Sequence, residues 1–123
     1  MTANTINDNT VQRIKNQIQK NTVLLYMKGS PDFPMCGFSS RVAHILKSLN
    51  TEFAYVNILE NPDIRKELPR YAKWPTFPQL YINQELIGGC DIVSDLHTKG
   101  ELQPLLHNAG ALKSNAEVQI AQE

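Results

Sequence analysis

The sequence predicts an α/β fold with a four-stranded mixed sheet and helices on both faces. Three observations carry that expectation. Val23-Leu24-Leu25-Tyr26-Met27 is a continuous apolar run of strand length, the pattern of a buried strand. A helical stretch joins it to a second strand-like segment, which implies a parallel pair with a right-handed crossover. Gln79–Ile82 and Glu85–Gly88 are then separated only by Asn83-Gln84, the spacing of an antiparallel hairpin.

Taken in order, residues 1–7 are small and polar and read as a flexible N-terminal arm. Asp8 or Asn9 caps a first helix whose apolar positions Val11, Ile14 and Ile18 share one face, with Asn21 as its stop. Val23 to Lys28 forms the first strand, and Gly29, Pro31 and Pro34 force an irregular loop after it. Val42, Ile45, Leu46 and Leu49 repeat at helical spacing up to Asn50. Phe53 to Ile58 is the second strand. Asn61-Pro62-Asp63 opens a helix, which Pro69 is expected to end or kink. After the hairpin, Gly88-Gly89 breaks the strand and Asp91 is placed to cap a helix that Gly100 terminates. Leu102, Leu105 and Leu106 suggest a last helix, with fraying from about Ala111. The domain is expected over 8–112, with a polar, disordered tail over 113–123.

Composition narrows the function. Lys plus Arg and Asp plus Glu both number 12, for a formal charge of zero, without the basic footprint of a general nucleic-acid binder. The longest apolar run is five residues, where a membrane-spanning helix needs about 20. The first twenty residues hold no apolar segment of a secretory signal. Two cysteines do not make a disulfide scaffold, so the expected address is the cytoplasm, where thiols stay reduced.

Cys36 is the residue that carries chemistry. It follows a proline-flanked loop and opens a helix, where unpaired N–H groups and the positive dipole end favour a thiolate. Lys28 closes the preceding strand and is a candidate cation beside it; Gly37 permits close approach and Phe38 offers an apolar wall. The competing reading makes Cys36 a small buried hydrophobe. Ser39 stands where a two-thiol redox site carries its second cysteine, and a hydroxyl cannot resolve a mixed disulfide.

Cys36-Gly37-Phe38-Ser39, with Lys28 upstream, Trp74-Pro75-Thr76-Phe77-Pro78-Gln79 and Gly88-Gly89-Cys90-Asp91, closely resembles the monothiol glutaredoxins of the CGFS type, in their short single-domain bacterial form. The resemblance implies a thioredoxin-like fold, a glutathione site and a [2Fe–2S] cluster shared by a homodimer. One cysteine from each chain and two glutathione thiolates ligate that cluster, and the apo form is monomeric. It also implies carrying and delivery of clusters to client proteins, often with BolA-type partners, and weak glutathione-dependent disulfide reduction.

Carried over by position, Lys28 and Arg65 pair with a glutathione carboxylate, and Phe77 presents its backbone to the glutathione cysteine. Cys90, through its backbone, and Asp91 hold the γ-glutamyl end. Pro78 is cis, while Phe38, Thr76 and Gly89 complete the glutathione site. Cys36 is both the redox centre and the iron ligand.

The residues alone leave alternatives open. A [2Fe–2S] centre usually takes four thiolates, and two chains each supplying Cys36 and Cys90 also make four. A Cys36–Cys90 disulfide is a further arrangement of the apo chain. The same groove suits an enzyme that removes glutathione from protein mixed disulfides. Arg70 and Lys73 read as solvent-facing helix charges. His44, His97 and His107 lack zinc-ligand spacing. Asp32 reads as a turn residue, and Trp74 packs over the loop or belongs to a partner surface.

Overall fold

All five residues of Val23–Met27 are buried, so this strand needs a layer on each of its faces. Its alternation supplies two cores. Val23, Leu25 and Met27 enter one cluster with Val42, Leu46, Leu80, Val93, Leu102 and Leu106. Leu24 and Tyr26 enter the other with Ile14, Ile18, Ile64, Leu68 and Tyr81.

The computed structural model describes residues 2–113, with side chains from Asn9 onward. The elements are α1 (Thr2–Lys20), β1 (Val23–Met27), α2 (Gly37–Ser48), β2 (Ala54–Asn57), α3 (Pro62–Ala72), β3 (Gln79–Ile82), β4 (Glu85–Gly88), α4 (Cys90–Thr98) and α5 (Leu102–Asn108). The sheet order is β2-β1-β3-β4. β1 pairs with β2 in parallel and with β3 antiparallel, and β3 pairs with β4 antiparallel. Helices α1 and α3 cover one face; α2, α4 and α5 cover the other. The expected α/β architecture is the observed one.

Local chemistry accounts for most boundaries. Asn83 and Gln84 both take positive φ, 51° and 69°, the signature of a type I′ hairpin turn. Asn50, Gly100 and Gly110 follow α2, α4 and α5 with positive φ. The next amides bond back to Leu46 O, Leu96 O and Leu106 O, which closes three helix ends in the same left-handed way. Asn21 caps α1 by donating its side-chain N–H to Gln17 O at 2.8 Å.

Four expectations are corrected. α1 begins at Thr2, not at a cap on Asp8 or Asn9, so residues 2–7 of the expected arm carry helical backbone; that segment holds neither Pro nor Gly, and extending a formed helix is cheap. Of the two expected outcomes for Pro69, ending the helix does not occur, since it lies inside α3, which continues to Ala72. Ile64 and Leu68 anchor that helix in the core, which offsets the one hydrogen bond a proline removes. Gly89, not Asp91, is the N-cap of α4, with Asp91 in the first turn. Ala111 to Lys113 are tied rather than frayed: Ala111 O accepts the Glu52 amide and Lys113 N donates to Asn50 O, both at 2.7 Å. The rest of the expected tail, 114–123, lies outside the described residues.

Candidate functional site

The site begins where β1 stops. Gly29 adopts φ +92°, and a Cβ there would stand 2.5 Å from Phe33 O, so the position admits only glycine without a shift. The Gly29 amide donates to Asn57 Oδ1 at 2.9 Å, and Met35 N donates to Lys28 O at 2.9 Å. This tight loop returns the chain beside the end of β1 and sets Cys36 as the N-cap of α2, with extended backbone.

Cys36 is half-buried and its thiol is free. Its pKa is drawn below the ordinary value, first by the Ser39 amide, against the opposing effect of burial. The Phe38 amide, the Lys28 ammonium and the Ser39 hydroxyl lower it further. These are the unpaired donors of a helix N-terminus turned on a sulfur. Ser39 is fully buried, and its Oγ accepts the Lys28 amide at 3.0 Å. That bond leaves the hydroxyl proton free to face the thiolate.

Three further segments close around this sulfur. Arg65 and Pro69 come from α3; Trp74, Pro75, Thr76 and Phe77 come from the turn before β3; Gly89, Cys90, Asp91 and Ile92 come from the start of α4. With Lys28, Cys36 and Phe38 they line an open groove of about 570 Å³. The Phe77–Pro78 peptide is cis. Gly89 packs against that turn, since a Cβ there would lie 3.1 Å from Pro78 O.

The groove thus collects Lys28, Cys36, Phe38, Arg65, Thr76, Phe77, Gly89, Cys90 and Asp91, all singled out in the sequence. Pro78 is buried behind the wall rather than on it. Arg70 and Lys73 do not line it; Arg70 lies 3.7 Å from Glu67. Pro69, Pro75 and Ile92 were missed. Ile92 shares the apolar spacing of α4, yet it is 39% exposed, and spacing alone does not separate a groove wall from a core position. Trp74 proves to be a groove residue.

A second groove, of about 580 Å³, adjoins Cys36 on the α2 and α4 side and includes Arg41 and Ser94. Arg41 Nε donates to Ser94 Oγ at 3.1 Å. The Cys90 sulfur lies 3.8 Å from the same Oγ, and its thiol is also free. Chemically, the first groove offers an activated sulfur, two cations, one carboxylate and an extended wall. That set suits a short peptide bearing carboxylates, an ammonium and a thiol.

Among the described residues, no helix is long and apolar enough to cross a membrane. The family model described as Glutaredoxin matches residues 23–87. The chain is 55% identical over 102 residues to a protein named Glutaredoxin 4 from Escherichia coli strain K12, covering 83% of this chain and 89% of that one. It is 50% identical to the solution structure of reduced poplar apo GrxS14, with a TM-score of 0.69 over 80% of this chain and 90% of that one. Reduced glutaredoxin C1 from Populus tremula x tremuloides matches at 26% identity and a TM-score of 0.80, over 90% of this chain and 93% of that one. The mixed sheet, the helix-capping cysteine and the cis-proline turn therefore sit in a thioredoxin-like fold, and the chain belongs to the glutaredoxin family.

Proposed function

We propose that this chain is a monothiol glutaredoxin of the CGFS type that binds glutathione in the first groove, the one lined by Lys28 and Arg65, and carries a [2Fe–2S] cluster as a homodimer. The observation that carries the reading is Cys36 at the N-cap of α2, with its thiol acidified and facing a groove that also presents Lys28 and Arg65. In this reading Lys28 and Arg65 hold a glutathione carboxylate. The Phe77 backbone, set by the cis Pro78, lies along the glutathione cysteine. Phe38, Thr76 and Gly89 shape the groove, while the Cys90 backbone and Asp91 receive the γ-glutamyl end.

The donor set fits a cluster as cargo. A [2Fe–2S] centre takes four thiolates, and each chain offers one acidified cysteine at the groove mouth. Two chains and two glutathiones complete the set. Because two of the four ligands are exchangeable small molecules, a client's thiolates can replace them without unfolding the carrier. The resemblance adds Fe–S client proteins and a BolA-type protein as partners, and the low cysteine count is the ground for placing the protein in the cytoplasm.

The lowered Cys36 pKa also favours a second reading, deglutathionylation of proteins. The Cys36 thiolate attacks the glutathione sulfur of a mixed disulfide and the protein thiolate leaves. A second glutathione thiolate then attacks that sulfur, releasing oxidised glutathione and restoring Cys36.

Anaerobic reconstitution with iron, sulfide and glutathione separates the readings by absorbance and native mass. A coloured dimer that needs glutathione, is lost in Cys36→Ser and survives Cys90→Ser is the expected result. A colourless monomer that briskly reduces a glutathionylated protein overturns the carrier reading. Loss of the cluster in Cys90→Ser, with no need for glutathione, replaces the ligand set by four protein thiolates.

A further inference from the structure

The groove wall over residues 74–77 is held from inside the core by one side chain. Gln79 is fully buried at the start of β3, directly after the cis Phe77–Pro78 peptide. Its Nε2 donates to Trp74 O at 3.0 Å and to Thr76 O at 3.2 Å. Its Oε1 accepts the Tyr81 hydroxyl at 3.0 Å. The orientation of the amide is fixed by this arrangement, because the two carbonyls can only accept. Both donors and the acceptor are used, without solvent.

The tie matters because the turn is poor in donors of its own. Pro75 and Pro78 have no N–H, and Trp74, Pro75, Thr76 and Phe77 all face the groove. Two carbonyls two residues apart, drawn to one amide, fix the turn on both sides of Pro75. We propose that Gln79, which does not line the groove, is a positioning residue for ligand binding: it sets the height of the wall that meets the thiol-bearing peptide. The inference rests on the proposed glutathione site and adds to it a residue behind that site.

The experiment compares Gln79→Met, Gln79→Glu and Tyr26→Phe with the wild type in the full chain. Methionine keeps the length and removes the donors. Glutamate keeps the acceptor for Tyr81 and turns the donor end into an oxygen facing two carbonyls. Tyr26→Phe removes a different core hydrogen bond, from the Tyr26 hydroxyl to Gln17 Oε1 at 2.8 Å, and so controls for lost stability. Glutathione affinity is measured by calorimetry, the pH midpoint of Cys36 alkylation by kinetics, and exposure of Trp74, the sole tryptophan, by acrylamide quenching.

The expected result is glutathione binding weakened about tenfold in both Gln79 variants, the scale of one or two lost net hydrogen bonds. Trp74 becomes easier to quench, the Cys36 midpoint stays put, and Tyr26→Phe binds as wild type does. Gln79 variants that bind within twofold of wild type, or no worse than Tyr26→Phe, overturn the inference. If the wild type itself binds no glutathione, the proposed function falls and quenching alone decides. Raised quenching then supports the positioning role, and unchanged quenching overturns it.

Discussion

Cys36 owes its acidity to neighbours within one helical turn and to one lysine across the loop. The two cations of the groove therefore have separable effects. Lys28→Gln removes an attraction felt by the thiolate and, under the proposed function, a partner for the ligand carboxylate, whereas Arg65 does not contribute to the thiol's shift. Both substitutions are expected to weaken glutathione binding by about five- to tenfold, a charge-assisted bond discounted for solvent screening. Only Lys28→Gln raises the pH midpoint of Cys36 alkylation. The shift also has a sign in stability. A folded-state pKa below the unfolded one means that the unfolded chain binds more protons between the two values. Stability from the thiolate is full above the unfolded value of about 8.5 and is lost as pH falls through the folded value. Urea midpoints of wild type minus Cys36→Ser are thus expected to grow with pH across that window; a flat difference contradicts the shift.

Elements were legible in the sequence where local chemistry decides them. β3 and β4 were read with the bounds they have, because Asn83-Gln84 leaves room for nothing but a two-residue turn. That turn is imperfect: Gln84 pays for a φ of 69°, which glycine adopts freely. Gln84→Gly is expected to stabilise the protein by about 0.5–1 kcal/mol, read as a higher urea midpoint with an unchanged slope. α1 and α3 were misjudged where tertiary packing and helix propagation override a local signal. The polar start of α1 looks like an arm, and Pro69 looks like a stop until Ile64 and Leu68 are seen in the core. Asp91 has the chemistry of a cap, but Gly89 turns the chain one step earlier. Ala111 looked frayed because its partner, Glu52, is far away in sequence.

At the scale of the whole molecule, the site is a meeting of segments no local pattern brings together. The loop after β1 supplies Lys28 and Cys36, α3 supplies Arg65, the turn before β3 supplies Phe77, and α4 supplies Asp91. Individual residues were legible because three short motifs, with Lys28 upstream, stand in family order. Gln79 was quoted in one of them, but its role rests on hydrogen bonds to Trp74, Thr76 and Tyr81 that only the folded sheet and turn reveal. The convergence itself makes one demand: the sulfur at position 36 must be both more acidic than an ordinary thiol and, in the proposed site, covered by the tripeptide. The pH dependence of Cys36 alkylation, measured in Cys90→Ser with and without glutathione, tests both together. The account predicts a midpoint below that of an ordinary thiol and slower alkylation when glutathione is present. A midpoint of about 8.5, with a rate indifferent to glutathione, would contradict it.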